Sequence, residues 1–310
     1  MRCLRLIPCG LLLAFTANAG TRDTAGAAHA TLRIATWNLE WLVDGATAHA
    51  ARIACRDSRP ATLPCDVVRE LARDSADLAR LASYAQRLDA DVIAFQEVQN
   101  EAIARRVFHG YRICINGGPG MQHVGFALRP GLARDCGAPV AALSADGAGR
   151  AGRELTLTAP GFERIELLVV HLKSGCAREP LQTATDACRL LATQARELGR
   201  WISLRAARHA RFVVLGDLNR GGPSVESDRF WSLLGPSAFL AAASQLPFAN
   251  CTWGAPYREF IDHILVSRTL VKRLPIQPFG QLRYSPRDAA HYHLSDHCPV
   301  SVSLNANSAL

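Results

Sequence analysis

Short apolar runs recur along the chain and alternate with stretches that have helical spacing. The runs typical of β-strands are residues 31–39, 91–98, 123–128, 154–159, 165–172, 211–219, 260–267 and 298–304. Residues 165–172 are apolar almost throughout, which favours a strand buried on both faces, whereas the last run alternates apolar and polar residues like a half-buried strand. Helical spacing appears at 67–88, 181–204 and near 225–234, and residues 43–65 resemble a loop. This order predicts layered α/β sheets with helices outside.

The start of the chain has the pattern of a secretory signal peptide. Arg2 and Arg5 precede a mostly apolar run at 7–15, and residues 17–19 (Ala-Asn-Ala) match a small-x-small cleavage site. The apolar run is too short to span a bilayer. A lipidated Cys9 is the alternative, but the proline before it and the short preceding apolar segment disfavour it. The pattern therefore predicts a cleaved signal peptide and no stable membrane anchor.

The expected organisation follows from that cleavage. Residues 1–19 are removed, residues 20–30 form a short flexible segment, residues 31–305 form a single domain, and residues 306–310 form a C-terminal tail. Neither an internal repeat nor a low-complexity linker divides the domain. We therefore expect a secreted or periplasmic protein that is a monomer.

Eight cysteines remain after the expected cleavage: Cys55, Cys65, Cys114, Cys136, Cys176, Cys188, Cys251 and Cys298. An even number in an exported chain favours disulfide bonds, and the lack of a C-x-x-C pair disfavours a zinc site or a redox motif. Sequence alone does not fix the connectivity. Proximity along the chain favours Cys55–Cys65, Cys114–Cys136 and Cys176–Cys188, and elimination then leaves Cys251–Cys298.

The charge of the chain is compatible with an anionic partner. Loss of Arg2 and Arg5 lowers the formal charge from +8 to +6, because residues 1–19 contain no acid. A positive balance suits nucleic acid or a lipid headgroup. An arginine-rich surface that only keeps the protein soluble is an alternative, so charge gives supporting evidence alone.

Most of the predicted strands end in polar side chains that are useful in phosphate chemistry. They are Asn38, Glu97, His171, Asp217, Asn219, Asp262, His263, Asp296 and His297. Any one of them could serve a turn or cap a helix. Several carboxylates, amides and imidazoles at the ends of successive apolar strands are more typical of one active site.

Six motifs carry a resemblance to a known family. TWNLEWL, FQEV, VVHLKS, VVLGDLN, FIDHILVS and LSDHCPV resemble, in order and rough spacing, those of the endonuclease/exonuclease/phosphatase superfamily. That superfamily includes deoxyribonuclease I, AP endonucleases, neutral sphingomyelinases and inositol-polyphosphate phosphatases. The resemblance implies two mixed β-sheets packed face to face with helices on both outer sides, a four-layer α/β sandwich with its active site at one edge.

The resemblance also implies a metal site and a set of catalytic groups. Glu97, assisted by Asn38 and Asp296, is expected to bind the metal, and hard oxygen ligands favour Mg²⁺, with Mn²⁺ or Ca²⁺ possible. The expected catalytic residues are His171 and His297 as paired imidazoles, Asp262 as the carboxylate that orients His297, and Asp217 and Asn219, which position the attacking water and the scissile phosphate.

Two substrate-binding positions complete the implied site. Arg153 resembles an arginine that deoxyribonuclease I uses on the phosphate backbone, and Asn219 contacts the scissile phosphate; a surface arginine is the alternative for Arg153. Gln122 departs from the pattern, because deoxyribonuclease I has a glutamate there as partner of the first histidine. Either His171 then has a lower pKa, or another acid is its partner.

Four functions compete. An exported metal-dependent endonuclease that hydrolyses DNA or RNA by in-line attack of water on phosphorus agrees with the export signal, the charge and both histidines. A sphingomyelinase-like lipid phosphodiesterase needs an aromatic loop for the bilayer surface, and the loops at 116–121, 143–153, 220–228 and 284–293 are poor in Phe and Trp. AP endonucleases typically have tyrosine where this chain has His171. A binding module without activity would be expected to have lost part of the set. The endonuclease is the favoured expectation.

Overall fold

The fold consists of thirteen strands and eight α-helices in the part of the chain described by this computed structural model, residues 31–70, 73–118, 120–144, 150–222, 229–235, 239–241, 247–252, 257–272, 276 and 278–306. The strands are β1 (Thr31–Leu42), β2 (Val92–Val98), β3 (Arg112–Ile115), β4 (His123–Leu128), β5 (Ala133–Asp135), β6 (Pro139–Val140), β7 (Gly152–Thr158), β8 (Ile165–His171), β9 (Phe212–Asp217), β10 (Phe239–Ala241), β11 (Asp262–Ser267), β12 (Gly280–Gln281) and β13 (Val300–Asn305). The helices are α1 (Gly45–Arg56), α2 (Cys65–Glu70), α3 (Ser75–Leu88), α4 (Glu101–Val107), α5 (Asp186–Ala207), α6 (Arg229–Leu233), α7 (Arg268–Val271) and α8 (Pro286–His291).

The strands form two mixed sheets. The first has the order β12-β13-β1-β2-β4-β3, and the second has the order β10-β11-β9-β8-β7-β5, with β6 paired to β7. In each sheet the central pair is parallel, β1 with β2 and β8 with β9, and the flanking strands are antiparallel. The sheets therefore have the mixed topology that the sequence predicts.

Alternating side chains on each central strand separate the layers. In β1, Ile34 packs into the core between the sheets, whereas Trp37 packs outward against α3 and α4. In β9, Leu215 faces the core between the sheets and Val214 packs against α5. Because both faces of each sheet are covered, the central strands are apolar throughout. The predicted four-layer sandwich is confirmed.

Two predicted elements are wrong in detail. Residues 43–65 are not a loop, because α1 begins after Asp44, whose side chain accepts a hydrogen bond from the backbone N–H of Thr47 (2.7 Å). The single helix predicted at 67–88 is two helices, α2 and α3. Asp74 starts the second with a capping box in which its side chain and that of Asp77 each accept from the other's backbone N–H.

The helix predicted at 181–204 is displaced toward the C-terminus, because α5 runs from Asp186 to Ala207. The helix at 181–204 begins only at Asp186, where Thr185 caps it and accepts from the Cys188 N–H. Near 225–234 the structure has α6, and residues 223–228 lie outside the described part. The expected signal peptide, the segment 20–30 and residues 307–310 of the expected tail also lie outside it.

All four predicted disulfide bonds are present: Cys55–Cys65, Cys114–Cys136, Cys176–Cys188 and Cys251–Cys298. Their Cα–Cα distances of 5.1–6.0 Å lie in the usual range for bridged cysteines. In the described residues, no helix combines the length and apolar composition needed to cross a membrane.

Candidate active site

The predicted site residues meet at one edge of the two sheets. His171 ends β8 and Asp217 ends β9, and because these strands are parallel and in register the two residues are direct neighbours. Asp262 begins β11, which is antiparallel to β9, so it lies opposite Asp217 at the same edge. From the other sheet, the Asn38 amide nitrogen reaches the Asp217 carboxylate at 3.0 Å. The site therefore bridges both sheets.

Unusual backbone conformations surround this edge. Glu40, Trp41, Glu97 and Asn219 all have positive φ angles of 47–60°. For residues other than glycine this conformation costs on the order of 1 kcal/mol and is frequent at functional sites. At Gly216 (φ 143°) an added Cβ would lie 2.0 Å from the Val170 carbonyl oxygen, so only glycine permits β9 to approach β8 just before Asp217.

Glu97 is held by a dense set of hydrogen bonds. Its carboxylate accepts from the Asn38 amide (3.0 Å), the Trp41 backbone N–H (3.1 Å) and the Gln122 amide (2.6 Å). The Glu40 N–H donates to the other end of Asn38, its Oδ1 (2.9 Å), and this fixes the orientation of the Asn38 amide. Asn38 thus aligns the carboxylates of Glu97 and Asp217, and its place among metal ligands stays a prediction.

Asp217 is the central acid of the cluster. Its Oδ1 accepts from the Asn219 N–H (2.7 Å), while the Asn219 side chain donates to the Leu172 carbonyl oxygen (2.9 Å). Its Oδ2 lies 3.7 Å from Nε2 of His171 and 3.9 Å from Nε2 of His297. Burial raises the pKa of Asp217 to about 7, even though the charge of His297 opposes this. The two predicted imidazoles therefore flank one carboxylate oxygen.

The two histidines differ in electrostatic environment. Nδ1 of His297 lies 2.6 Å from the Asp262 carboxylate. Burial alone would lower the pKa of His297, but the carboxylates of Asp262 and Asp296 outweigh it and raise the pKa well above its usual value. Burial, and then the charge of Arg150, lower the pKa of His171 well below its usual value. The pKa shifts thus favour the charged form of His297 and the neutral form of His171.

Gln122 does not replace the missing acid partner of His171. Its amide donates to Glu97, and its carbonyl oxygen accepts from Arg150 (2.9 Å from Nε). Nη1 of Arg150 lies 3.5 Å from Nε2 of His171, and Nδ1 of His171 is buried without a hydrogen-bond partner among the described residues. Both alternatives drawn from the sequence have support. Nε2 of His171 lies 3.5 Å from the Glu97 carboxylate and 3.7 Å from that of Asp217, and burial, then the charge of Arg150, lower the pKa of the ring.

Arg153 is not bonded to these side chains. It donates to Asn116 (3.4 Å) from β7 and forms no hydrogen bond or ion pair with a catalytic candidate among the described residues, so its role on phosphate stays a prediction. His263, also at a strand end, faces the opposite side, where it bonds to the Arg220 carbonyl oxygen and packs against Trp231.

The sequence reasoning missed a second group of polar residues around Asp296. The Tyr257 hydroxyl donates to Asp296 (2.7 Å) and lies 3.0 Å from Nε2 of His297. The Asp296 N–H donates to Glu40 (2.8 Å), and Arg73 lies 3.7 Å from the same carboxylate. Burial and the charge of Asp296 raise the pKa of Glu40 to about 7. Glu40 lies in the TWNLEW motif, so the sequence could have indicated it as a site residue. Tyr257 and Arg73 lie in no such motif, and the sequence does not indicate them.

The donor set fits a divalent cation. Oδ1 of Asp262 and Oδ1 of Asp296 are buried and accept no hydrogen bond from the described residues. Ligand atoms of Asp217, Asp262 and His297 lie within 4.8 Å of one another, and this cluster differs from the predicted ligands Glu97, Asn38 and Asp296. Buried carboxylate oxygens that lack donors need a cation or water, and hard oxygens favour Mg²⁺, Mn²⁺ or Ca²⁺.

Comparison with known proteins identifies related sequences and folds. A family model described as the Endonuclease/Exonuclease/phosphatase family matches residues 35–297. TDP2 from C. elegans has 16% identity and a TM-score of 0.60, with 89% of this chain and 75% of that chain covered. TDP2 from D. rerio, complexed with single strand DNA product, has 18% identity and a TM-score of 0.57, with 89% and 99% covered. A mannosyl-6-phosphatase from Bacteroides thetaiotaomicron has 15% identity and a TM-score of 0.57, with 88% and 99% covered. The comparison with curated proteins found no match.

Proposed function

Because the chain belongs to the Endonuclease/Exonuclease/phosphatase family, we propose that it is an exported, metal-dependent phosphodiesterase that cleaves DNA or RNA internally. The observation that carries the proposal is the pair of imidazoles beside Asp217, with His171 at 3.7 Å and His297 at 3.9 Å from the same oxygen. Such a pair can contact a phosphate group from two sides. The DNA product bound by the similar D. rerio protein supports a nucleic acid substrate, as does the formal charge of +6 that remains after loss of Arg2 and Arg5.

The charged imidazole has the properties needed to bind the phosphate. Asp262 accepts from Nδ1–H of His297 at 2.6 Å. Nε2–H, which lies 3.0 Å from the Tyr257 hydroxyl, would donate to a non-bridging phosphate oxygen when substrate is bound. A charged donor in a buried site stabilises negative charge that builds in the transition state. The role of Asp262 is therefore to orient and charge His297.

Asp217 has the properties of a general base. A pKa of about 7 lets it accept a proton from the attacking water near neutral pH. Its hydrogen bonds from Asn219 and Asn38 (2.7 and 3.0 Å) fix its orientation toward the phosphate. The neutral His171, beside Arg150, can accept or donate a hydrogen bond on the other side of the phosphate.

Glu97 and Asp296 would hold the metal ion, with Asn38 as a further candidate. When bound, a divalent cation supplies positive charge that stabilises the leaving oxygen and a non-bridging oxygen of the phosphate. The hydrogen bonds to Glu97 from Trp41 and Gln122 (3.1 and 2.6 Å) orient the carboxylate for this purpose.

A substrate panel tests the proposal. The purified protein with Mg²⁺ should nick supercoiled plasmid or degrade RNA, and EDTA and His297→Ala should each reduce cleavage to background. The matched control is His49→Ala, since His49 is an exposed residue of α1. Mannose 6-phosphate and sphingomyelin complete the panel; hydrolysis of either one, with neither nucleic acid cut, would show that the nuclease assignment is wrong.

Export is supported by the basic and apolar start of the chain together with the four disulfide bonds. The mass of the mature protein recovered from the periplasm or medium should correspond to a start at Gly20 with eight oxidised cysteines. A cytoplasmic protein of full length with free thiols would contradict export.

A further inference from the structure

A cavity lies next to the active site. It has a volume of ≈ 300 Å³ and is lined by Asn250, Cys251, Thr252, Arg283, Tyr284, Pro286 and Ala289. Cavities that bind small ligands have volumes of about 300–1,000 Å³, so this one is large enough for a compact group. It shares Asn250 and Cys251 with the narrow cleft that contains Asp296 and His297. A ligand in the cavity would therefore lie beside the proposed site of cleavage.

The cavity wall is fixed to the catalytic residues. Cys251 is bonded to Cys298, the residue after His297. The Tyr284 hydroxyl donates to the His297 carbonyl oxygen (2.7 Å) and accepts from Nε1 of Trp37 (3.0 Å). A covalent bond and a buried hydrogen bond thus hold the wall at a constant position relative to His297, as a substrate subsite requires.

Arg283 gives the cavity its charge. Its side chain is exposed, and it forms no hydrogen bond or ion pair within the described ranges of the chain. By contrast, Arg80 lies 3.6 Å from Asp288, and Arg129 is paired with Asp89. The rest of the lining contains polar Asn250 and Thr252 and no carboxylate. An uncommitted guanidinium in a wall without acids favours an anionic ligand, above all a phosphate.

We propose that this cavity is a subsite for the nucleotide adjacent to the scissile phosphate, and that Arg283 binds the phosphate of that nucleotide. The inference rests on the proposed nuclease function. It adds that the preferred substrate is a polynucleotide that continues past the cleaved bond. A cationic headgroup such as choline would be repelled by Arg283. A phosphomonoester would leave the cavity empty, because nothing continues beyond its phosphate.

Two substrates separate the subsite from the catalytic centre. One is a single-stranded oligonucleotide, and the other is bis(p-nitrophenyl) phosphate, a diester with no neighbouring nucleotide. For Arg283→Gln, the ratio of kcat/KM on the oligonucleotide to kcat/KM on the small diester should fall about tenfold, the effect of one charged hydrogen bond. The slope of log kcat/KM against log salt concentration for the oligonucleotide should become less negative by about one.

Matched variants complete the experiment. Arg283→Lys keeps the charge and should retain the wild-type salt slope. Arg112→Gln removes an exposed arginine from β3, at the opposite end of the first sheet from β12, and should leave the ratio and the slope unchanged. An unchanged ratio in Arg283→Gln, or an equal change in Arg112→Gln, would overturn the subsite.

The wild-type protein reports separately on the proposed function. If it cleaves the oligonucleotide but the ratio does not depend on Arg283, the nuclease function stands and the subsite is wrong. If it cleaves no nucleic acid, both are wrong. Tyr284 is not a suitable position for this test, because its hydroxyl is bonded to His297 itself.

Discussion

Replacement of Asp262 by asparagine tests the charge state of the buried pair at the centre of the site. Asp262 and His297 are 7% and 5% exposed, and the Asp262 carboxylate lies 2.6 Å from Nδ1 of His297. Asparagine has nearly the same shape, and its amide oxygen can still accept from Nδ1–H. Asp262→Asn therefore removes the negative charge while one hydrogen bond remains.

The expected loss of stability follows from the strength of the two kinds of bond. A hydrogen bond to a charged group contributes about 1.5–3 kcal/mol and a neutral one about 0.5–1.5 kcal/mol, so the variant should lose about 1–2 kcal/mol. In a domain of this size each kcal/mol lowers Tm by about 2–4 °C. We expect the Tm of the variant to lie a few degrees below that of the wild type when the pair is charged.

The loss should depend on pH with a definite sign. The pKa of His297 is raised in the folded protein, so the pair contributes its full stability below the unfolded pKa of about 6.5. That contribution disappears as the pH rises through the raised folded pKa. The difference in Tm between wild type and Asp262→Asn should therefore be largest at acidic pH and should shrink at alkaline pH.

Thermal unfolding between pH 5 and pH 9 measures this difference, with EDTA present so that metal binding does not add to stability. The matched control is Asp288→Asn. Burial would raise the pKa of Asp288, but the hydrogen bonds from Tyr84 (2.8 Å) and Ser285 and the charges of two nearby arginines together lower it. Its contribution is present above its unfolded pKa and is lost only as the pH falls through the folded value, so its effect should be constant over this range. If the loss of Tm in Asp262→Asn is also constant from pH 5 to pH 9, His297 is not charged in the pair and the assignment of roles to the two histidines is wrong.

Two further substitutions test the geometry of the site. Gly216→Ala places a Cβ 2.0 Å from the Val170 carbonyl oxygen at a φ of 143°, so it should destabilise the protein by well over about 1 kcal/mol in urea unfolding and reduce cleavage. Gly222→Ala, where nothing lies within 4 Å, is its control, and equal effects would refute the argument. Tyr257→Phe removes the hydroxyl bonded to Asp296 and near His297 (2.7 and 3.0 Å) and should lower kcat on a small diester about 10- to 100-fold, the effect of a hydrogen bond to a charged group. Tyr292→Phe, which loses only a bond from Arg80 (3.2 Å), should have normal kcat, and a normal kcat in Tyr257→Phe would mean that its hydroxyl has no part in the reaction.

The sequence predicts the central strands and the polar edge well, because both have local causes. The strands β1, β2, β8 and β9 are buried on two faces and therefore consist of apolar runs, and the site residues follow those runs directly. The short strands β3, β5, β6, β10 and β12 have only two to four residues each, too few to show an alternating pattern, so no local pattern indicates them. The helical spacing of apolar residues continues from α2 into α3, so it does not indicate the break between them. A capping box at Asp74 starts the second helix.

The remaining part of the site depends on contacts between distant segments. Tyr257 reaches His297 across 40 residues of sequence, and Arg150 reaches Gln122 across 28. Neither residue stands at the end of an apolar run, and each belongs to a segment whose path is determined by tertiary packing. The lowered pKa of His171 is also a tertiary property, because it results from burial and from the approach of Arg150.

The bond between Cys251 and Cys298, which are separated by 47 positions, closes a covalent ring of chain. Tyr257, Asp262, Arg283, Asp296 and His297 all lie within this ring, whereas Asn38, Glu97, His171 and Asp217 lie outside it. In the chain-entropy model a ring of this length stabilises the folded state by about 4 kcal/mol. An extracellular protease that cuts once inside the ring would release no fragment, and Asp262 and His297 would stay on one molecule that can refold. A single cut between Asp217 and Cys251 would instead separate the two groups of active-site residues.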